Sequence, residues 1–247
     1  MKRKTNTTPY SEKAPSKEFV QKMFDNLAEN YDGLNHSMSM GVDKSWRKYA
    51  INYLKKDKDI QSILDIATGT GDMAILANEL LHPSEIIGID ISDNMLKIAK
   101  EKISQRKMSD TIKLINADSE SLPFSNNHFD AVISAFALRN FEHLEQSVSE
   151  MFRVLKPNGK LVIIDLCNPV KSPMKQLFWC YKKMIMPIIG RIMTNTDSAY
   201  NYLPHTMSVI PQGREMCNIF SKAGFTSMGY KRLKFQMCVL YSGLKPQ

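Results

Sequence analysis

Apolar and polar positions follow two rhythms along this chain, and the switch between them sets out the elements. From Ser16, the apolar residues Phe19, Val20, Met23, Phe24 and Leu27 recur at helical spacing and predict a helix. Asn30 to Gly41 reads NYDGLNHSMSMG; its Asn, Gly and Ser content predicts a loop or a broken helix. A second helix is expected over Asp43 to Leu54, with Trp46, Tyr49, Ala50, Tyr53 and Leu54 on one side. Short apolar runs then alternate with amphipathic stretches: strand 62–67, helix 71–81, strand 86–90, helix 92–106 and strand 111–118. After a loop come strand 129–138, helix 143–155 and strand 160–166. Ser92 is placed to cap its helix, and Pro157 and Gly159 are placed to stop another. Residues 220–245 predict a helix end, a Gly turn and two closing strands in an antiparallel hairpin.

Near-continuous apolar strands separated by helices imply an α/β fold with a parallel sheet covered on both faces. The expected divisions are a loosely attached N-terminus (1–15) and a single domain (16–247). Within that domain, 16–56 is a helical cap, 57–168 the cofactor-binding core, 169–210 a lid insertion and 211–247 the closing helix and strands.

Composition narrows the class. At 247 residues, 43% hydrophobic and 23% charged, the chain can bury a full core. Cys167, Cys180, Cys217 and Cys238 form no C-x-x-C pair, which argues against a zinc site or redox dithiol and fits a reducing cytoplasm. The basic, polar N-terminus has no apolar core of a signal peptide, and no run of about 18 apolar residues could span a bilayer. The net charge of +8 admits nucleic acid or an anionic membrane as partners. The basic residues of the first 160 positions are dispersed without interleaved aromatics, so no nucleic-acid partner is expected. Residues 169–193 differ: Leu177, Phe178 and Trp179 are interleaved with Lys171, Lys175, Lys182, Lys183 and Arg191, a basic amphipathic stretch broken by Pro187. It reads either as a lid packed on its own domain or as a segment for transient contact with a membrane surface.

The densest chemistry lies in two segments. Ile63 to Asp72 reads ILDIATGTGD, an apolar strand entering a Gly-rich turn; Ile86 to Asp90 reads IIGID, a strand closing on a carboxylate about 20 residues beyond the turn. Such a pair cradles a nucleotide-type cofactor. No lysine follows the glycines, so a P-loop is excluded, and G-x-G-D is not the dinucleotide spacing. In an open α/β sheet ligands bind beyond the carboxyl ends of the strands, where Asp65 to Asp72, Asp90, Asp118, Ser119, Arg139 and Asn140 all fall. Each has an ordinary alternative use. Asp65 could be a structural hydrogen-bonding group, Asp72 a helix cap and Asp118 a turn former. Arg139 could pair with Glu142 or Glu145, and Tyr200 and Tyr202 could simply pack.

LDIATGTGD, GIDIS, NADSESLPF, FDAVISAFALRNF and MFRVLKPNGKL together resemble a class I S-adenosyl-L-methionine-dependent methyltransferase. YDGLNHSMSMG followed by Trp-Arg, ALRNF and YNYLPHTM resemble one branch more narrowly: the ubiquinone/menaquinone biosynthesis C-methyltransferase family. The similarity runs in order from about Val20 to Phe225. It implies a Rossmann-like, mostly parallel seven-stranded sheet with an antiparallel C-terminal strand, N-terminal helices and a lid. The implied reaction is C-methylation of demethylmenaquinol to menaquinol, or of the ubiquinone precursor, releasing S-adenosyl-L-homocysteine and using no metal. Another lipophilic acceptor, such as a sterol or phospholipid, is the alternative.

By the same resemblance, Asp65, Gly69, Thr70, Gly71 and Asp72 surround the methionine part of the cofactor and Asp90 takes the ribose hydroxyls. Asp118 and Ser119 meet the adenine edge, Ile91 is a further cofactor-binding position, and Tyr31 closes over the sulfonium. Arg139 and Asn140 are the implied catalytic pair, stabilising a phenolate or orienting a water; Asn35, Phe141, Tyr200 and Tyr202 line the acceptor. Ala135 stands at a cofactor-binding position where the family commonly has serine, and His205 where an acid is common. The implied partner is a prenylated quinol. The implied location is cytoplasmic with peripheral contact at the inner face of the membrane. The oligomeric state stays open, a homodimer included.

Overall fold

The computed structural model describes residues 14–55, 60–180, 202 and 205–247. Three helices come first: α1 (Lys17–Leu27), α2 (Tyr31–Ser39) and α3 (Val42–Leu54), with a 3-10 turn at Ala28–Asn30. The alternating part follows as β1 (Ser62–Ile66), α4 (Asp72–Leu81), β2 (Glu85–Asp90), α5 (Asp93–Gln105), β3 (Ile112–Asn116) and β4 (Phe129–Ala135). A 3-10 turn at Leu138–Asn140 leads to α6 (Leu144–Val154) and β5 (Leu155–Leu166). The chain closes with α7 (Arg214–Lys222), β6 (Thr226–Arg232) and β7 (Cys238–Leu244).

The seven strands are ordered β3-β2-β1-β4-β5-β7-β6. The first five pair in parallel, and β7 runs antiparallel between β5 and β6. Strand order reverses at β1, so the carboxyl ends of β1, β2 and β4 open onto one crevice. Alternate residues serve opposite faces. Leu64, Ile66, Val132 and Leu161 pack with Leu144, Val148 and Met151 of α6 and Phe220 of α7. Ile63, Ile133, Val162 and Ile164 pack with Trp46, Ala50 and Leu54 of α3 and with α4 and α5. With both faces covered, near-continuous apolar strands are the physical requirement. Ser16 and Ser92 accept hydrogen bonds from the Phe19 and Met95 N–H groups and cap α1 and α5.

Of the two readings for Asn30 to Gly41, the structure shows the broken helix, with Tyr31–Ser39 helical, and two other boundaries differ from expectation. Tyr31 meets Phe24 edge-on at 5.7 Å, and Asp32 accepts from Thr70 (2.6 Å) and Lys102 (2.7 Å), so tertiary contacts override weak local propensity. The helix ends where Met40 (φ 51) and Gly41 (φ 73) turn left-handed. α6 stops at Val154, ahead of Pro157, because Leu155 turns extended and pairs with Phe129 across a bulge in β4–β5. β4 stops at Ala135, not Leu138, because Phe136 adopts φ 63.

Of the lid, residues 174–180 and 205–209 are helical, and Phe178 and Met207 are buried. Tyr200, the stretch around Pro187 and the first 13 residues lie outside the described residues. Among the described residues, no helix is long and apolar enough to cross a membrane. The same residues include no group of three or more His, Cys, Asp or Glu able to hold a metal ion.

Candidate active site

The turn after β1 is built by three left-handed residues: Ala67 (φ 53), Gly69 (φ 56) and Gly71 (φ 82). Gly69 opens to free space, since a Cβ there would meet nothing within 4 Å, and its N–H donates to Asp90 Oδ2 at 2.8 Å. The Ser92 N–H donates to Asp90 Oδ1 at 2.9 Å, so each carboxylate oxygen keeps lone pairs for a ligand. Burial nevertheless pushes the Asp90 carboxyl up to about 6. At Gly71 a Cβ would sit 3.2 Å from that of Ala99, so this glycine also lets α4 approach α5.

The crevice holds a cleft of about 710 Å³, lined at the turn side by Gly69, Asp90, Ile91 and Ala135. Tyr31, Phe24, Val20 and Lys17 from the N-terminal helices close its other side. Asp118 and Ser119 line it too, but both are engaged. Asp118 Oδ2 takes Lys17 Nζ at 2.5 Å, and Ser119 Oγ pairs with Ser147 Oγ at 3.0 Å. The Ser119 hydroxyl therefore faces α6. Phe141, expected at the acceptor, lines this cleft just after the 3-10 turn at Leu138–Asn140.

Beyond the Gly turn lies a polar recess of about 320 Å³, where Asp65, Thr70 and Asp72 meet Tyr31 and Arg47. Asp65 is fully buried; Oδ2 accepts from Thr68 Oγ1 at 2.6 Å and Oδ1 has no hydrogen-bond partner. Burial pushes its carboxyl up to about 7. Thr70 Oγ1 donates to Asp32, and Lys102 joins Asp32 (2.7 Å) to Asp72 (2.5 Å), which ties α2 to the turn. Asp72 is in the first turn of α4, and its side chain makes no cap. Arg47 escaped the sequence reading except as part of a motif. It hydrogen-bonds Asp43, lies 3.8 Å from Asp72 Oδ2, covers the Phe136 ring at 5.0 Å and keeps a buried Nε with no hydrogen-bond partner.

The third cavity, about 670 Å³, is apolar: Met38, Trp46, Leu166, Phe178, Met207 and Met237 line it. Its polar lining is Asn35, Ser39, Asp43 and Arg139. Phe136 borders both this chamber and the cleft. Arg139 is 7% exposed, and Nη1 donates to Asp165 Oδ1 (2.5 Å) and the Phe136 carbonyl (2.6 Å). Burial opposes its charge, but Asp165 more than offsets this and holds the guanidinium above its ordinary range. Its carboxylate partner is thus Asp165 at the end of β5, not Glu142 or Glu145. Asn140 lines the cleft and accepts the Tyr202 hydroxyl at 2.8 Å. His205 is exposed.

Residues 11–245 match the ubiE/COQ5 methyltransferase family. The chain belongs to that family. A demethylmenaquinone methyltransferase of Bacteroides fragilis is 46% identical over 237 residues, 96% of each chain. A ubiquinone/menaquinone biosynthesis C-methyltransferase of Pseudomonas putida is 33% identical over 239 residues, 96% of this chain and 92% of that one. The fold is likewise shared with solved structures. A SAM-dependent methyltransferase from Aquifex aeolicus superposes with a TM-score of 0.57 at 16% identity, covering 79% of this chain and 89% of that chain.

Proposed function

We infer that this chain is an S-adenosyl-L-methionine-dependent C-methyltransferase of respiratory quinone biosynthesis that methylates the ring of a demethylmenaquinol. The observation that carries the reading is Phe136, which borders both the cofactor cleft and an apolar chamber containing a buried, carboxylate-held arginine. The residues present suit the cofactor. Asp65 Oδ1 and Arg47 Nε, buried and unpartnered, belong to one recess, and an α-ammonium and α-carboxylate would satisfy them. Asp90 has acceptor capacity for a ribose diol. When bound, the cofactor supplies an electrophilic methyl on a sulfonium.

The chain's own task is to align, desolvate and hold charge. A quinol ring hydroxyl that loses its proton pushes electron density onto the adjacent carbon. Arg139 stays charged and stabilises that oxygen, oriented by Asp165. Asn140, fixed by Tyr202, positions the hydroxyl or a water from the cleft side. Incubation with labelled S-adenosyl-L-methionine and reduced demethylmenaquinol should transfer label, while the oxidised quinone should not. Equal labelling of both would sink the phenolate route.

Arg47 should separate the two ends of the cofactor. Arg47→Gln is expected to weaken S-adenosyl-L-homocysteine by about tenfold to a hundredfold, the worth of a charged hydrogen bond. It should leave 5′-methylthioadenosine, which lacks the amino-acid end, unchanged in the same calorimetric titration.

The exposed Val170, Leu177 and Trp179 beside Lys171 and Lys175 favour reversible contact with an anionic bilayer, where a prenylated acceptor resides. Co-sedimentation with anionic liposomes should exceed that with neutral ones and fall with salt. Binding to neither would count against a peripheral role.

A further inference from the structure

Methyl transfer from a sulfonium to an aromatic C–H releases one proton per turnover, and the apolar chamber must let it out. Arg139 cannot take it, because a guanidinium stays protonated. Among the described residues lining the chamber, Asp43 is the one carboxylate. It is 2% exposed and sits at the centre of a hydrogen-bonded chain. Ser39 Oγ, which lines the chamber as well, donates to Asp43 Oδ1 at 2.6 Å. On the far side, His36 Nδ1 lies 2.9 Å from Asp43 Oδ2, and the His36 side chain is 30% exposed. Burial works against the Asp43 charge, but Ser39, Arg47 and His36 outweigh it and hold the carboxyl below its ordinary range. The chain thus runs from an apolar interior to the surface with an ionised acceptor in its middle. The chamber has two polar stations, Arg139 and the Ser39–Asp43 pair.

We propose that Ser39, Asp43 and His36 form the proton exit of the acceptor chamber. The ring hydroxyl proton passes to Ser39 Oγ as the Ser39 proton passes to Asp43 Oδ1. Asp43, then a neutral acid, turns about its Cβ–Cγ bond and brings the protonated oxygen to His36 Nδ1, which takes the proton, and the imidazolium releases one to water. The ring carbon forms its bond to the methyl as the methyl–sulfur bond breaks. Loss of that carbon's own hydrogen to the ring oxygen restores aromaticity, so one proton leaves per methyl transferred. Ser39 and Asp43 face the substrate; His36 acts through Asp43 as a positioning and relay residue.

This rests on the quinol reading above, and the test separates the two. His36→Ala is expected to lower kcat on reduced demethylmenaquinol by about tenfold to a hundredfold. Its S-adenosyl-L-homocysteine affinity, measured by calorimetry, should stay at the wild-type value. Added imidazole should restore several-fold of the lost turnover, because the position is open to solvent. Ser39→Ala, a smaller change, should lower kcat in the same way without responding to imidazole. Unchanged turnover in His36→Ala, or a loss that imidazole does not touch while cofactor affinity holds, would overturn the proton exit. Should His36→Ala lose cofactor binding, Ser39→Ala decides alone, and wild-type kcat there would overturn the proposal. A wild-type protein that methylates no quinol would overturn the functional reading itself.

Discussion

Asp90→Asn is expected to weaken S-adenosyl-L-homocysteine binding by about a hundredfold or more, the largest single loss of affinity in the site. The carboxylate anchors the Gly69 and Ser92 N–H groups and offers its remaining lone pairs to a diol. Hydrogen bonds to a charged acceptor are worth about 1.5–3 kcal/mol each, and two are at stake. Asparagine has one oxygen, and its amide hydrogens would face an N–H donor. The same residue sets two pH dependences of opposite sign. In the cofactor-free protein the Asp90 and Asp65 carboxyls sit at about 6 and about 7, against 3.8 ordinarily. The folded state therefore binds more protons than the unfolded chain between about pH 4 and 7, and stability falls as pH rises through that window. Ribose hydroxyls and an α-ammonium favour the ionised carboxylates, so cofactor affinity should fall as pH drops below about 6. Thermal melts with and without S-adenosyl-L-homocysteine at pH 5 and pH 8 measure both. A ligand-induced rise in melting temperature that is larger at pH 5 would contradict this assignment.

The largest loss of turnover is expected from Arg139→Gln, about a hundredfold to a thousandfold in kcat with cofactor affinity retained. Arg139 spends Nη1 on Asp165 and the Phe136 carbonyl, which fixes the guanidinium at the chamber wall. Lysine cannot reproduce that planar, multi-donor geometry, so Arg139→Lys should recover little. Leaving Asp165 as a lone buried charge threatens the fold, by about 3–5 kcal/mol for a broken buried pair. The double variant Arg139→Gln/Asp165→Asn removes that threat; it should regain thermal stability and stay slow. A change in KM alone would show that the arginine only binds the acceptor.

The sheet and the Gly-rich turn were legible because each rests on a local rule. Buried parallel strands must be apolar, a Gly-rich turn must follow the first, and Asp90 must close the second. What escaped depends on distance in sequence. Asp165 looked like the end of an apolar strand, yet it sits beside Arg139 only because β4 and β5 pair. Arg47 looked like one basic residue among 33 Lys and Arg, and becomes a site residue only when α3 packs beside the Gly turn. The Asn, Gly and Ser content of Tyr31–Ser39 left loop and broken helix open, and contacts with Phe24, Thr70, Lys102 and Asp43 decide for helix. His36 has no sequence pattern that marks a base; its contact with Asp43 spans the left-handed break at Met40 and Gly41 and exists only in the fold.

Phe136 sits at a left-handed position where most side chains are strained, and its single ring borders both the cleft and the apolar chamber while lying beneath Arg47. Substitution there cannot be a private matter of one ligand. A smaller residue that admits a bulkier acceptor also removes the surface on which Arg47 rests. Evolutionary drift in acceptor range should therefore proceed through Met38, Met207 and Met237, whose flexible thioethers reshape one cavity and leave the other alone.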